Sequence, residues 1–207
     1  MDSSSLVSTR RALHAVAELL LAGPQYRASG TIRLRAHPGG FATRLEPRLQ
    51  VVGAELMGAG RRLPLRATTC AELAAAVGVE PGAPAGLYGD GSGASPQDAV
   101  DADPVAAELI AGCFAAADAV LRELFPGADP VIWPEHFDIG VTVDGVNYGV
   151  SPGDAYSSAP YAYVGPHTPR TGPFWNAPFG AARPMSELAD RPALREFLAE
   201  GCRQAAL

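Results

Sequence analysis

Glu135, His136 and Asp138 stand close together, and Asn147, Ser151 and Asp154 follow soon after. A histidine beside a carboxylate suits general acid–base work. Imidazole titrates near neutral pH, and a neighbouring carboxylate raises its pKa and orients it. His136 with Asp138 is therefore the candidate catalytic pair, with Asp154 as a second carboxylate. The plain alternative for His136 is a hydrogen-bonded structural histidine at a strand start. Ser151 is the nearest hydroxyl nucleophile, but Pro152 follows it and denies it the strand-to-helix elbow of a serine hydrolase. On a strand, Glu135 points away from His136 and Asp138. A third metal ligand would have to come from distant His167 or His37, so the spacing indicates no metal. No cofactor motif is legible, since GDGSG at 89–93 neither follows a strand nor opens a helix.

These residues need a scaffold, and the clearest one is a hairpin. Phe137, Ile139, Val141 and Val143 alternate with polar or small residues, as do Val146, Tyr148 and Val150. Asp144-Gly145 between the two runs predicts a two-residue type I′ turn, because both positions tolerate positive φ. That turn sets Val143 opposite Val146, Val141 opposite Tyr148 and Ile139 opposite Val150 on a core face. The opposite face pairs Thr142 with Asn147, Gly140 with Gly149 and Asp138 with Ser151. Two facing glycines leave bare backbone, which marks close approach of a ligand or of another element. The expected site is a pocket floored by Gly140 and Gly149, rimmed by His136, Asp138, Asn147, Ser151 and Asp154. It would be covered by the Pro/Gly-rich loop that carries Trp175 and Asn176. The competing expectation is a wet face, or one on which another element packs.

Around this hairpin the chain reads as follows. A helix capped by Ser8 or Thr9 runs to Ala22 and stops at Gly23-Pro24. His14 lies off its apolar stripe and reads as a surface residue. Short strands follow from Thr31 to Leu65; Arg33, Arg35, Arg61, Arg62 and Arg66 on them read as a solvated sheet face, the alternative being a basic patch for an anionic ligand. Thr69-Cys70-Ala71-Glu72 is a capping box that opens a short helix. Residues 80–103 are rich in Gly, Pro, Ala and Asp and read as a linker or long loop. Asp103-Pro104 opens a long apolar helix to about Phe125. After the hairpin come a Pro-Gly-Asp turn, a strand at Tyr161–Val164, the Pro/Gly loop and a C-terminal helix docked by Leu194, Phe197 and Leu198.

This order predicts an α+β fold, an antiparallel sheet with helices packed on one side. It also hints at two similar α+β halves sharing the sheet. The expected organisation is one integrated domain over residues 1–207, with a subdivision into 1–79 and 104–207 around segment 80–103. With 207 residues and 47% hydrophobic content, the chain can build a packed core. The net charge of −6 and the absence of a basic stripe argue against nucleic acid as a partner. All sixteen basic residues are arginine, which reads as GC-rich codon usage. No run of eighteen apolar residues and no signal-peptide order are present, so no membrane partner and a cytoplasmic location are expected. Cys70, Cys113 and Cys202 are widely spaced and read as buried small hydrophobes.

The chain resembles small uncharacterised proteins of high-GC actinobacteria. It also resembles a bacterial domain family of unknown function. The residues that carry the likeness are Trp133, His136, Phe137 and Asp138, then Ser151–Asp154, then Pro160–Tyr163. The resemblance implies one integrated domain and brings no activity, cofactor or catalytic residue with it.

Two functions follow from the residues. The first is a small-molecule-binding protein, an enzyme if His136 and Asp138 exchange protons with the ligand. The second is a non-catalytic interaction or scaffold domain whose polar sheet face meets a partner.

Overall fold

The computed structural model describes residues 3–206. Its first helix does not stop at Gly23-Pro24. Helix α1 (Ser3–Val16) widens into a π-helical turn (Ala17–Ala22) and continues as α2 (Gly23–Ser29). The proline explains the widening. In the π turn the Gly23 N–H reaches back to the Glu18 carbonyl. The Leu19 carbonyl would then look to residue 24, where proline has no N–H to give. That orphan is met instead by the Gly82 N–H at 2.9 Å, from the 80–103 segment. Seating the segment there needs a glycine on the helix, since a Cβ at Gly23 would lie 1.7 Å from the Gly82 carbonyl oxygen. Alanine ordinarily improves a helix interior. Here Gly23→Ala is expected to lower stability by about 1–2 kcal/mol, because it breaks a backbone hydrogen bond and leaves a buried carbonyl unmet. A urea midpoint equal to or above the parent's would refute this.

The same segment is tied at further points. Ser92 donates through its N–H (2.9 Å) and its hydroxyl to the buried carboxylate of Glu18. Pro96 O accepts from Ala71 N, and the Asp103 N–H donates to Thr9 Oγ1 at 2.9 Å. Thr9 is fully buried, so it holds the start of the later long helix rather than capping its own. Residues 80–103 are thus a strap across the first helix. The two elements read as separable by a linker are laced together.

Strands β1 (Leu34–His37), β2 (Gly40–Thr43), β3 (Gln50–Val52), β4 (Glu55–Gly58) and β5 (Arg61–Pro64) form an antiparallel meander. A two-stranded pair, β6 (Thr68–Thr69) and β7 (Ala99–Val100), flanks α3 (Cys70–Val77), which opens on the expected capping box. Helix α4 (Pro104–Leu124), with Asp103 as its N-cap, precedes a second meander. Its strands are β8 (Val131–Trp133), β9 (Asp138–Val143), β10 (Val146–Ser151), β11 (Tyr161–Pro166) and β12 (Ala181–Pro184), and α5 (Arg191–Ala205) follows. The meanders join edge to edge through β1 and β8, giving one ten-stranded sheet in the order β12-β11-β10-β9-β8-β1-β2-β3-β4-β5. Helix, five-stranded meander and helix therefore occur twice along the chain.

Helix α4 lies against β1, β2, β9 and β10, and α5 against α4 and β11. Phe114 of α4 meets Phe41 and Phe137 edge-on, with centroids 6.3 and 5.3 Å away. By length and composition α4 is the one helix among the described residues that could cross a membrane, and half of its apolar window is buried inside this fold. The β9–β10 register is the expected one, with Val143 opposite Val146 and Gly140 opposite Gly149. Asp144 and Gly145, at φ 49° and 74°, form the turn.

Candidate active site

The polar face of the second meander is built around one row of residues. Tyr163 on β11 is the partner of Gly149, and Gly149 is the partner of Gly140. The Tyr163 ring lies across both glycines. A Cβ on Gly149 would sit 2.5 Å from its hydroxyl oxygen and 2.6 Å from Cζ, and one on Gly140 2.8 Å from the hydroxyl. The bare backbone is therefore the seat of a tyrosine: neither glycine lines the large cleft, and of the expected floor only Gly140 borders a small adjoining hollow. What the seat achieves is delivery. Only across two side-chain-free positions can the phenol of Tyr163 reach β9, where it donates a hydrogen bond to Asp138 Oδ2.

Asp138 is fixed from the other side by a tight turn. Residues 134–137 form that turn between β8 and β9, where the alternation had suggested that the strand already begins. Phe137 takes a positive φ of 53°, a costly conformation for a bulky residue. Its compensation is the aromatic cluster, with Phe41 and Phe114 edge-on and His14 stacked at 5.5 Å. His14 is not a surface residue: its Nε2 lies 2.7 Å from the Pro134 carbonyl. Burial lowers its pKa, against an opposing effect of that carbonyl. Because 134–137 turn, Glu135 does not point away from Asp138 as strand geometry would have it; both line the same space.

That space is a cleft of about 890 Å³. One wall is α1, with Arg10, Arg11 and His14, and another is the strap at Asp90–Ser92. The sheet supplies Asp138, Ser151, Tyr161 and Tyr163, and the mouth carries His167 and Phe179. A smaller hollow of about 220 Å³ adjoins it and shares Glu135, His136, Asp138, Asn147 and Tyr163. Asp138 thus borders both.

The electrostatics single out Asp138. Burial pushes its carboxyl up to about 6, against the Tyr163 hydrogen bond and the nearby His136, which pull it down. Its Oδ1 is buried with no hydrogen-bond partner, and so is Oε2 of Glu135. Burial and the Asp138 charge together raise Tyr163 well above an ordinary phenol, so it stays a donor. A carboxyl titrating near 6 can give or take a proton at neutral pH, provided that a substrate atom reaches Oδ1.

The other sequence candidates divide. His136 is exposed at the cleft and Asn147 lies on the shared wall, accepting from Thr142 Oγ1 at 2.7 Å. Ser151 is buried and accepts from the Gly153 N–H at 3.1 Å, which holds the turn. Asp154 lines the cleft with both oxygens engaged. Oδ1 accepts from the Tyr156 and Ser157 N–H groups, and Oδ2 from the Tyr161 hydroxyl at 2.5 Å. Trp175 and Asn176 are not part of the cleft. Phe174 packs on Trp175 and on Phe197 of α5, and Asn176 clamps both backbone groups of Ala182 at 2.9–3.1 Å. That loop braces the β12 edge. Of the five strand arginines, Arg35, Arg61 and Arg62 line a separate shallow hollow together with Arg48, and Arg33 and Arg66 do not.

Glu135 was named but turned to the wrong side, the contact of Tyr163 with Asp138 was not foreseen, and the α1 residues were missed. The legible signal for Tyr163 was the two tyrosines on one side of the 161–164 strand beside a glycine pair that needed filling. Among the described residues no three His, Cys, Asp or Glu side chains converge as metal ligands. Compared with known proteins, the sequence matches no family model, and no curated protein and no solved structure resembles it at a significant level.

Proposed function

We propose that the cleft between α1 and the polar sheet face binds a small molecule, and that Asp138, with His136 and Tyr163, exchanges a proton with it. The observation that carries this reading is Asp138 itself. It is a buried carboxyl raised to about 6, held on one oxygen by Tyr163 and bare on the other. A buried polar atom without a partner is destabilising, and proteins keep such atoms where function needs them. The cleft's size and its mixture of aromatic walls and few polar groups suit a small ligand. In this reading His136, at the rim, supplies the second proton-carrying group.

The scaffold reading draws support from one feature. Tyr156 and Phe179 are 47% and 37% exposed and meet edge-on with centroids 4.9 Å apart where Phe179 borders the cleft, a surface for a protein partner to cover.

A fragment library screened by amide chemical shifts on the full chain separates the two. Binding in the cleft is expected to move the amides of Asp138, Ser151 and Tyr163. Shifts at none of these three cleft positions would overturn the small-molecule reading.

A further inference from the structure

We infer that the ligand of this cleft is a small organic cation with N–H donors, an amine, amidine or guanidine on a planar or apolar body, seated between Asp138 and Glu135. The inference rests on the reading of the cleft as a ligand site and adds the ligand's chemistry.

Four observations converge. Asp138 is more than nine-tenths buried and presents Oδ1 without a partner, and Glu135 has one buried oxygen in the same condition. Both border the same cleft, and they are close enough for Glu135 to disfavour the charge on Asp138. An anionic ligand would add a further negative charge to this pair, and a ligand offering only acceptors would leave both oxygens bare. A nitrogen cation answers both, because its N–H groups donate and its charge offsets the repulsion.

The second observation concerns the neighbouring cations. His136 is the basic side chain whose charge bears on Asp138, and it is exposed at the cleft. Arg10 and Arg11 also line the cleft, but Arg10 donates to Ser158 O at 3.1 Å over Gly153, and among the described residues neither arginine forms an ion pair with Asp138 or Glu135. The protein has thus not placed its own guanidinium on the carboxylate pair.

Third, Tyr163 fixes which oxygen is available. Its hydroxyl donates to Oδ2, so Oδ1 is the acceptor left for a ligand. Fourth, Tyr161 and Phe179 stand together on the cleft wall with centroids 6.2 Å apart. Aromatic faces beside carboxylates favour an organic cation through its charge and its apolar body alike.

The test uses three probes of one shape: benzamidinium, benzyl alcohol and benzoate, each titrated into the full chain at pH 7.5 and read by amide shifts. Benzamidinium is expected to move the amides of residues 136–140 and 163 saturably, and the other two to leave them in place. Glu135→Gln and Asp138→Asn are each expected to weaken benzamidinium about tenfold or more while keeping a folded spectrum. The cation assignment is overturned if benzamidinium leaves those amides unmoved, if benzoate or benzyl alcohol binds there as well as it does, or if both variants bind it like the parent. Cleft binding of benzoate alone would remove the cation and keep the ligand cleft. Fragment hits at no cleft residue would remove both.

Discussion

Replacing Asp138 with asparagine is expected to make the protein more stable at pH 8 and no more stable at pH 3.5. The carboxyl ordinarily titrates at 3.8 and in the fold at about 6. Between those values the folded state holds a proton that the unfolded chain has released, so stability falls as pH rises through the window. Above 6 the full cost of burying the charge is present, about 3 kcal/mol for a shift of about two units. Below 3.8 both states are protonated and the cost vanishes. Asparagine keeps an oxygen for the Tyr163 hydroxyl and has no charge to bury, so it should recover much of that energy at pH 8. For a chain of this length, this corresponds to a rise in Tm of roughly 5–10 °C. Calorimetry at the two pH values reads it directly. A variant less stable than its parent at pH 8, or one equally shifted at both, would show that Asp138 is not held as a costly charge. A residue whose loss stabilises a fold is retained for something other than folding.

Gly149→Ala should have the opposite sign. Its Cβ would lie 2.4 Å from the Ile139 carbonyl oxygen as well as 2.5 Å from the Tyr163 hydroxyl. Neither a rigid ring end nor a strand carbonyl can give way without moving β9 or β11. The expected cost is about 2–3 kcal/mol, at the level of overpacking a core. The functional cost is larger, since a displaced ring can no longer reach Asp138, whose second oxygen then also lacks a donor. The carboxyl should then titrate above about 6, seen in a side-chain carbon titration of the variant. Stability within about 0.5 kcal/mol of the parent, with an unchanged Asp138 midpoint, would mean that the ring is not seated on the glycines.

What was legible follows a physical pattern. The fold class, the helix from Pro104 and the register of the Asp144-Gly145 hairpin were readable because caps and tight turns act within a few residues. The glycine pair was also readable as a place of close approach. Its occupant was not, because pairing Gly149 with Tyr163 depends on the loop at 152–160, whose length sets no register by itself. The turn at 134–137 was hidden for a different reason. Phe137 adopts a left-handed backbone that its side chain disfavours, and only the aromatic cluster from three distant elements holds it there. Glu135 was misplaced as a consequence. At Gly23-Pro24 the sequence carries a stop signal, and a backbone donor from Gly82 overrides it. In each case a contact across the fold decided against local preference.

The order of the ten strands also bears on how copies of this chain behave toward one another. Such a sheet ends in two strands, β5 and β12, and on β12 the Asn176 amide already takes both backbone groups of Ala182. Both are four residues long and both close on proline: Arg61-Arg62-Leu63-Pro64 and Ala181-Ala182-Arg183-Pro184. Proline cannot donate to an incoming strand, and stacked copies would bring arginines against arginines. Although the two meanders fused edge to edge at β1 and β8, their outer margins carry the features that discourage the same joining from continuing into aggregation between molecules.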